Sequence, residues 1–167
     1  MWKMDSAGVQ LFNAIRSNDK AIFKQLGVSV DYKIKSVIQL EKLLVQLYSE
    51  MKTSIPSIIV AAVGYYYGQT LIRNFKNGIW VTDEGTSLKD IFVEIEINNE
   101  ITIMYPFRRV MRFLENQEYS MTAIYNAMKA MTGTKRNISE LPKKTTINYG
   151  GMLISSERLP EIRKNKE

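Results

Sequence analysis

The chain has 167 residues, 45% of them apolar and 24% charged; this suits a globular domain that buries its own core and argues against a disordered polymer. It contains no cysteine and no histidine, which excludes disulfides, thiolate and imidazole metal sites, cysteine nucleophiles and Ser-His-Asp catalysis. Of the net charge of +6, residues 134–167 carry +4 (eight Lys/Arg against four Glu), leaving +2 on residues 1–133, so the basic balance belongs largely to one tail and gives little support to a nucleic-acid-binding body.

Residues 5–26 read as two short helices, capped by Asp5 or Ser6, broken at Ser17-Asn18-Asp19 and closed by Gly27. Residues 28–35 read as a connector with some strand character. From Ser36, residues Val37, Leu40, Leu44, Leu47, Tyr48 and Met51 recur at three- and four-residue steps, which predicts an amphipathic helix. Pro56 opens the next helix, to about Phe75, and its early part is apolar all round, which places it at the centre of the fold. The longest apolar stretch, residues 55–67, is too short for the ~20 residues a bilayer span needs. No apolar run with a cleavage site stands at the N-terminus, so a cytoplasmic protein is expected.

Asn77-Gly78 signals a turn, after which the period becomes that of a strand. A short strand over residues 79–82 precedes a turn at Asp83-Glu84-Gly85. Ile91, Val93, Ile95 and Ile97 alternate with Phe92, Glu94 and Glu96, and Ile101, Ile103 and Tyr105 continue the alternation in a second strand. Matching apolar faces requires an odd loop centred on Asn99, pairing Ile97 with Ile101, Ile95 with Ile103 and Val93 with Tyr105. Pro106 opens a helix with Phe107, Val110, Met111 and Leu114 inward and Arg108, Arg109 and Arg112 on the other side. A last helix over 119–131 carries the stripe Met121, Ile124, Tyr125, Met128 and Met131, with Gly133 as C-cap. The order predicts an α+β fold: N-terminal helices, a small antiparallel sheet with a hairpin, then C-terminal helices. Residues 1–133 form the single domain and 134–167 a basic C-terminal arm, in part disordered. The run Met152-Leu153-Ile154 can add an edge strand or dock on a partner.

Three pieces of the middle of the chain form a pattern: Gly64-x-Tyr66-x-Gly68, Asn77-Gly78-x-Trp80, and Tyr105-Pro106-Phe107 with Val110. The stretch from Gly64 to Glu115 resembles small bacterial α+β domains of unknown function with a Gly-Tyr-Gly helix, a Gly-x-Trp strand, a hairpin and a Pro-Phe helix start. Those domains often carry Glu where this chain has Gln69. Some relatives are associated with immunity or prophage genes, and the resemblance implies a partner-binding or inhibitor role.

Among candidate site residues, Tyr65, Tyr66 and Tyr67 cover about 200° of a helix at ~100° per residue. All three cannot face one core, and Tyr65 and Tyr67 become candidates for a surface that binds a partner. Arg108, Arg109 and Arg112, with Arg73 nearby, add a cationic patch for that protein partner or for nucleic acid. Asp83, Glu84, Asp90, Glu94 and Glu96 are the one carboxylate group from which a metal-dependent hydrolase could be built, although a solvated sheet face explains them as well. The leading expectation is a non-enzymatic protein-binding protein without cofactor or metal. A nucleic-acid-binding accessory protein and a hydrolase are the alternatives.

Overall fold

The computed structural model describes residues 8–51, 55–82, 87–116 and 120–132, together with two strand segments, 146–149 and 152–155. The predicted caps at Asp5, Ser6 and Gly133 and the turn at Asp83-Glu84-Gly85 lie outside the described residues. The fold is α+β: α1 (Gly8–Gln25), α2 (Ile34–Met51), α3 (Ser57–Asn74), β1 (Lys76–Val81), β2 (Phe92–Ile97), β3 (Glu100–Met104), α4 (Pro106–Asn116) and α5 (Met121–Met131). Strands β1, β2 and β3 form an antiparallel sheet in that spatial order, and β4 (Thr146–Tyr149) pairs with β5 (Met152–Ser155) in a separate two-stranded sheet.

The apolar run that predicts a central helix does become one. Residues Val60 to Gly68 of α3 are all buried, because α3 packs against α1, α2, α4 and the sheet at once. A helix covered on every side has no wet face on which to place Tyr65, Tyr66 or Tyr67. The α1 kink falls at Asn18, whose backbone leaves helical values, as the Ser17-Asn18-Asp19 break predicts. Gly27 takes a positive φ of 72° just past that helix, the left-handed step that ends a helix at little steric cost.

The glycines of α3 are sites of close approach. A Cβ on Gly64 would sit 2.4 Å from Phe107 Cδ1, and one on Gly68 would sit 2.1 Å from Trp80 Cη2 and 3.0 Å from Pro106 Cγ. Gly64 and Gly68 are four residues apart, so they share a helix face, and that notch receives the Trp80 ring and the Pro106-Phe107 start of α4. Trp80 is fixed there by a 5.7 Å stack on Tyr65 and by its indole N–H, which donates to Gln69 Oε1 at 3.0 Å. The Gly-Tyr-Gly, Gly-x-Trp and Pro-Phe pieces are one packing unit. The bond to Gln69 also gives that residue a structural role.

Two local readings need correction. Asn77-Gly78 is not a turn before the strand: β1 already begins at Lys76, and the pairing with β2 shifts between Lys76 and Ile79, with Asn77 at φ 52° inside the irregularity. A glycine is needed at the next position because a Cβ on Gly78 would meet Ile72 Cα at 2.5 Å. The hairpin register is also not the odd-loop one. Ile97 pairs with Glu100, Ile95 with Thr102 and Val93 with Met104, and Asn98 and Asn99 form the turn with φ of 53° and 65°. Two consecutive left-handed residues define the type I′ turn, whose twist matches that of the strands, and asparagine adopts that conformation readily. Turn chemistry therefore overrides apolar alternation, and every β3 side chain changes face. Thr102 and Met104 are buried, and Ile101, Ile103 and Tyr105 face outward.

Candidate functional site

The six residues predicted to bind a partner do not form one surface. Tyr65 is 4% exposed, Tyr67 0% and Arg109 1%, so burial removes these three from any surface patch. Tyr67 has no hydrogen-bond partner for its hydroxyl among the described residues. Burial raises its pKa above the ordinary tyrosine value, the Arg109 cation pulls it back, and Glu41 pushes it further up. Arg109 and Glu41 are both charged groups buried in the interior around Tyr67. Glu41, itself fully buried, accepts from the Thr122 N–H at 3.0 Å, the Thr122 hydroxyl at 2.8 Å and the Ser120 hydroxyl at 3.2 Å. Ser120 also caps α5 by accepting from the Ala123 N–H. A carboxylate on α2 thereby holds the N-terminus of α5, where the helix dipole favours negative charge. The arrangement joins two helices.

Arg73, Arg108 and Arg112 keep solvent contact; Arg108 and Arg112 stand one turn apart on α4, but Arg73 lies away from them. Arg108 pairs with Asp90 at 2.7 Å and lies 4.2 Å over the Tyr105 ring, next to the start of β2. Arg73 lies 4.4 Å over the Tyr32 ring and lines a cleft of about 480 Å³ with Asn74, Phe75, Lys76, Glu96, Asn98 and Lys129, at the other end of β2. Strand rise separates these ends by about 17 Å. The cleft cations have structural explanations. Lys129 Nζ donates to the Asn74 carbonyl at 2.7 Å, and Arg73 and Lys129 both stand in the last turns of their helices, where cations complement the dipole.

The carboxylates do not converge either. Asp83 and Glu84 lie outside the described residues, Asp90 is held by Arg108, and among the described residues no three acidic groups are placed to hold a metal ion. Glu94 stands in register between Ile79 on β1 and Ile103 on β3. Glu96 is opposite Lys76 and accepts from Asn77 Nδ2 at 2.6 Å.

What the sequence reading missed is the outer face of the sheet. The hairpin register brings Phe92 and Tyr105 together there, ring centroids 5.6 Å apart, and sets Ile101 and Ile103 beside Glu96 and Glu94. β1 contributes Ile79 and Val81 to the same face. Ile101 is 68% exposed and Ile79 53%. Three strands at ~4.8 Å spacing and about 17 Å long give a face of roughly 250 Å², with apolar side chains at most of its positions.

The pattern is costly for an isolated domain. On β3 a residue turned to the core is Thr102, 1% exposed and without a partner for its hydroxyl among the described residues, while Ile101 beside it is exposed and Ile103 half-buried on the outer face. A sheet face left to solvent ordinarily reads polar, and apolar residues on both faces are the mark of a sheet covered on both. Local departures of this kind concentrate where a protein works.

Comparison with protein families, curated proteins and solved structures finds no match for this chain. Among the described residues, no helix is long and apolar enough to cross a membrane.

Proposed function

We propose that this protein is a non-enzymatic protein-binding module that docks its partner on the outer face of the β1–β2–β3 sheet. The single observation behind this reading is the exposure of Ile79 and Ile101 on a sheet whose other face is the core. A partner fitted to this face presents an apolar segment, because Ile79, Val81, Phe92 and Ile101 offer no hydrogen-bonding side chains. It also brings a cation for Glu94, which has isoleucines on both sides in register. An inhibitor or immunity-like role, which the sequence resemblance implies, is one form such binding takes.

A protein partner is favoured over nucleic acid because the arginines predicted as a patch are divided: Arg109 is buried, Arg108 is paired with Asp90, and Arg73 sits over Tyr32 at the other end of β2, leaving Arg112 on the surface of α4. The two readings separate by salt. Complexes built on phosphate contacts weaken by orders of magnitude between 50 and 200 mM salt, whereas an apolar interface responds little. The test is co-purification from the source cells with wild type beside Ile101→Asp, run in parallel at about 0.3 M salt after nuclease treatment and at about 0.05 M salt without it. The expected result is one stoichiometric protein held by wild type and lost with Ile101→Asp. Retention of the same protein by both chains, or recovery of nucleic acid alone at low salt, overturns the proposal.

A further inference from the structure

Strand β1 is an edge of the sheet, with β2 on one side only. The backbone pattern on its open side follows from the hairpin. A two-residue type I′ loop is closed by a hydrogen-bonded pair, here Ile97 and Glu100. Pairs alternate along an antiparallel ladder, so Ile95 and Val93 also bond to β3, while Glu94 and Phe92 bond to β1. Ile79 and Val81 stand opposite Glu94 and Phe92 and spend their backbone groups on β2. Trp80 between them turns its N–H and C=O away from the sheet, and among the described residues neither finds a partner.

This open stretch is apolar at every position. Ile79 is 53% exposed, and Trp80 and Val81 are half-buried, because β1 packs chiefly on β2 and α3. Edges are ordinarily blunted by charge, proline or a bulge. Here Lys76 and the bulge that follows it guard the start of the strand, and residues 79–81 carry none of these devices.

The stretch is complementary to itself. In an antiparallel pairing of two copies with Trp80 opposite its own counterpart, the outward N–H and C=O groups satisfy each other in two hydrogen bonds. Ile79 of each copy then lies opposite Val81 of the other on the outer face, in the kind of pair where side chains approach most closely. Shifting the register by two residues sets Val81 against the irregular Asn77, or leaves Ile79 beyond the end of the other strand. Apolar matching therefore selects the register centred on Trp80.

We infer that two copies of this chain pair along the β1 edge, antiparallel about Trp80, into one six-stranded sheet. The contact is small beside the ~800 Å² per partner of a stable complex, so the dimer is reversible and fills at high concentration. Its outer faces join: two of roughly 250 Å² become one of about 500 Å². A partner lying across the joined face holds the two copies together. That consequence rests on the reading of the outer face as the docking surface, whereas the edge pairing does not.

The chain has no cysteine, so single thiols can trap the register. Opposed residues of such a pair lie ~4.5 Å apart at Cα, within the range a disulfide spans. Ile79→Cys and Val81→Cys chains, mixed in equal amounts at about 0.1 mM and mildly oxidised, should give the mixed disulfide well above the one-half share of random pairing. In sedimentation velocity the wild-type mass should rise from that of one chain toward that of two as concentration is raised to about 1 mM. Ile79→Lys should abolish the rise. Ile101→Asp should leave it, because β3 lies two strands from the β1 edge. A mass that stays at one chain throughout, or a mixed disulfide at or below one half, overturns the pairing. A rise lost with Ile101→Asp also overturns it, in favour of two copies packed face to face. The docking surface stands or falls separately, on whether Ile101→Asp loses the captured partner.

Discussion

Thr102→Val should make the protein more stable. Thr102 is 1% exposed, and its hydroxyl finds no hydrogen-bond partner among the described residues. A buried hydroxyl left unpaired costs about 1–3 kcal/mol. Valine replaces that hydroxyl with a methyl of nearly the same shape and keeps the β-branched side chain that suits a strand. Allowing for some relaxation around the site, the expected gain is about 1 kcal/mol, which for a chain of this size raises the melting temperature by ~2–4 °C. Urea unfolding followed by circular dichroism should show a higher midpoint with an unchanged slope. The swap also distinguishes the two registers. If an odd loop centred on Asn99 paired Ile97 with Ile101, Thr102 would face solvent and the change would stay within about 0.5 kcal/mol of zero. A neutral or destabilising result therefore refutes the burial argument and the face assignment together.

Glu41→Ala leaves the Thr122 N–H, the Thr122 hydroxyl and the Ser120 hydroxyl without their shared acceptor in a buried site. Loss of about 3–5 kcal/mol is expected from urea unfolding, with Glu41→Gln costing clearly less because its amide oxygen still accepts. Gly68→Ala should lower the melting temperature: the added Cβ would meet Trp80 Cη2 at 2.1 Å, and the ~1–3 kcal/mol cost of overpacking outweighs the ~1 kcal/mol that alanine gains in a helix. Burial raises the pKa of Tyr32, Tyr65, Tyr66, Tyr67 and Tyr125 above the ordinary value of 10.0. Above that value the unfolded chain gives up these protons first, so stability is intact below about pH 10 and falls as pH rises beyond it. Tyrosinate absorbance should then show phenols of the folded protein ionising above the ordinary tyrosine value.

Much of this architecture is legible in the sequence. The helical periods of residues 36–51 and 119–131 and the alternation of Ile91, Val93, Ile95 and Ile97 lead to the observed elements and, among the described residues, to the observed buried faces, except that the α2 stripe loses its cover toward its end, where Met51 is exposed. The all-round apolar start of α3 correctly marks the centre, yet the same observation should have settled the tyrosines: a helix covered on every side buries all three. Glu41 lies within the stripe Val37, Leu40, Leu44, and a charge in that position was the available sign of an interior polar cluster. β3 is the instructive failure. Its two faces, Ile101 and Ile103 against Thr102 and Met104, are both apolar enough to be buried, so alternation had no power to choose. The deciding signal was two consecutive asparagines, the residues a two-residue left-handed turn accepts. With that register the isoleucines become surface, and the candidate site moves from the arginines of α4 to the sheet. Arg109 resists any reading from α4 alone, because its burial depends on neighbouring elements that the period of one helix does not reveal.

The most direct test of the docking surface compares wild type with Ile101→Asp on two readouts from the same preparations: affinity for the captured partner by calorimetry and unfolding free energy in urea. The account predicts at least a tenfold loss of affinity, as for a residue central to an interface, with stability changed by less than about 1 kcal/mol because Ile101 is already mostly exposed. Undiminished affinity contradicts the docking surface, and a loss of several kcal/mol in stability contradicts the outward placement of Ile101 from which the surface was argued.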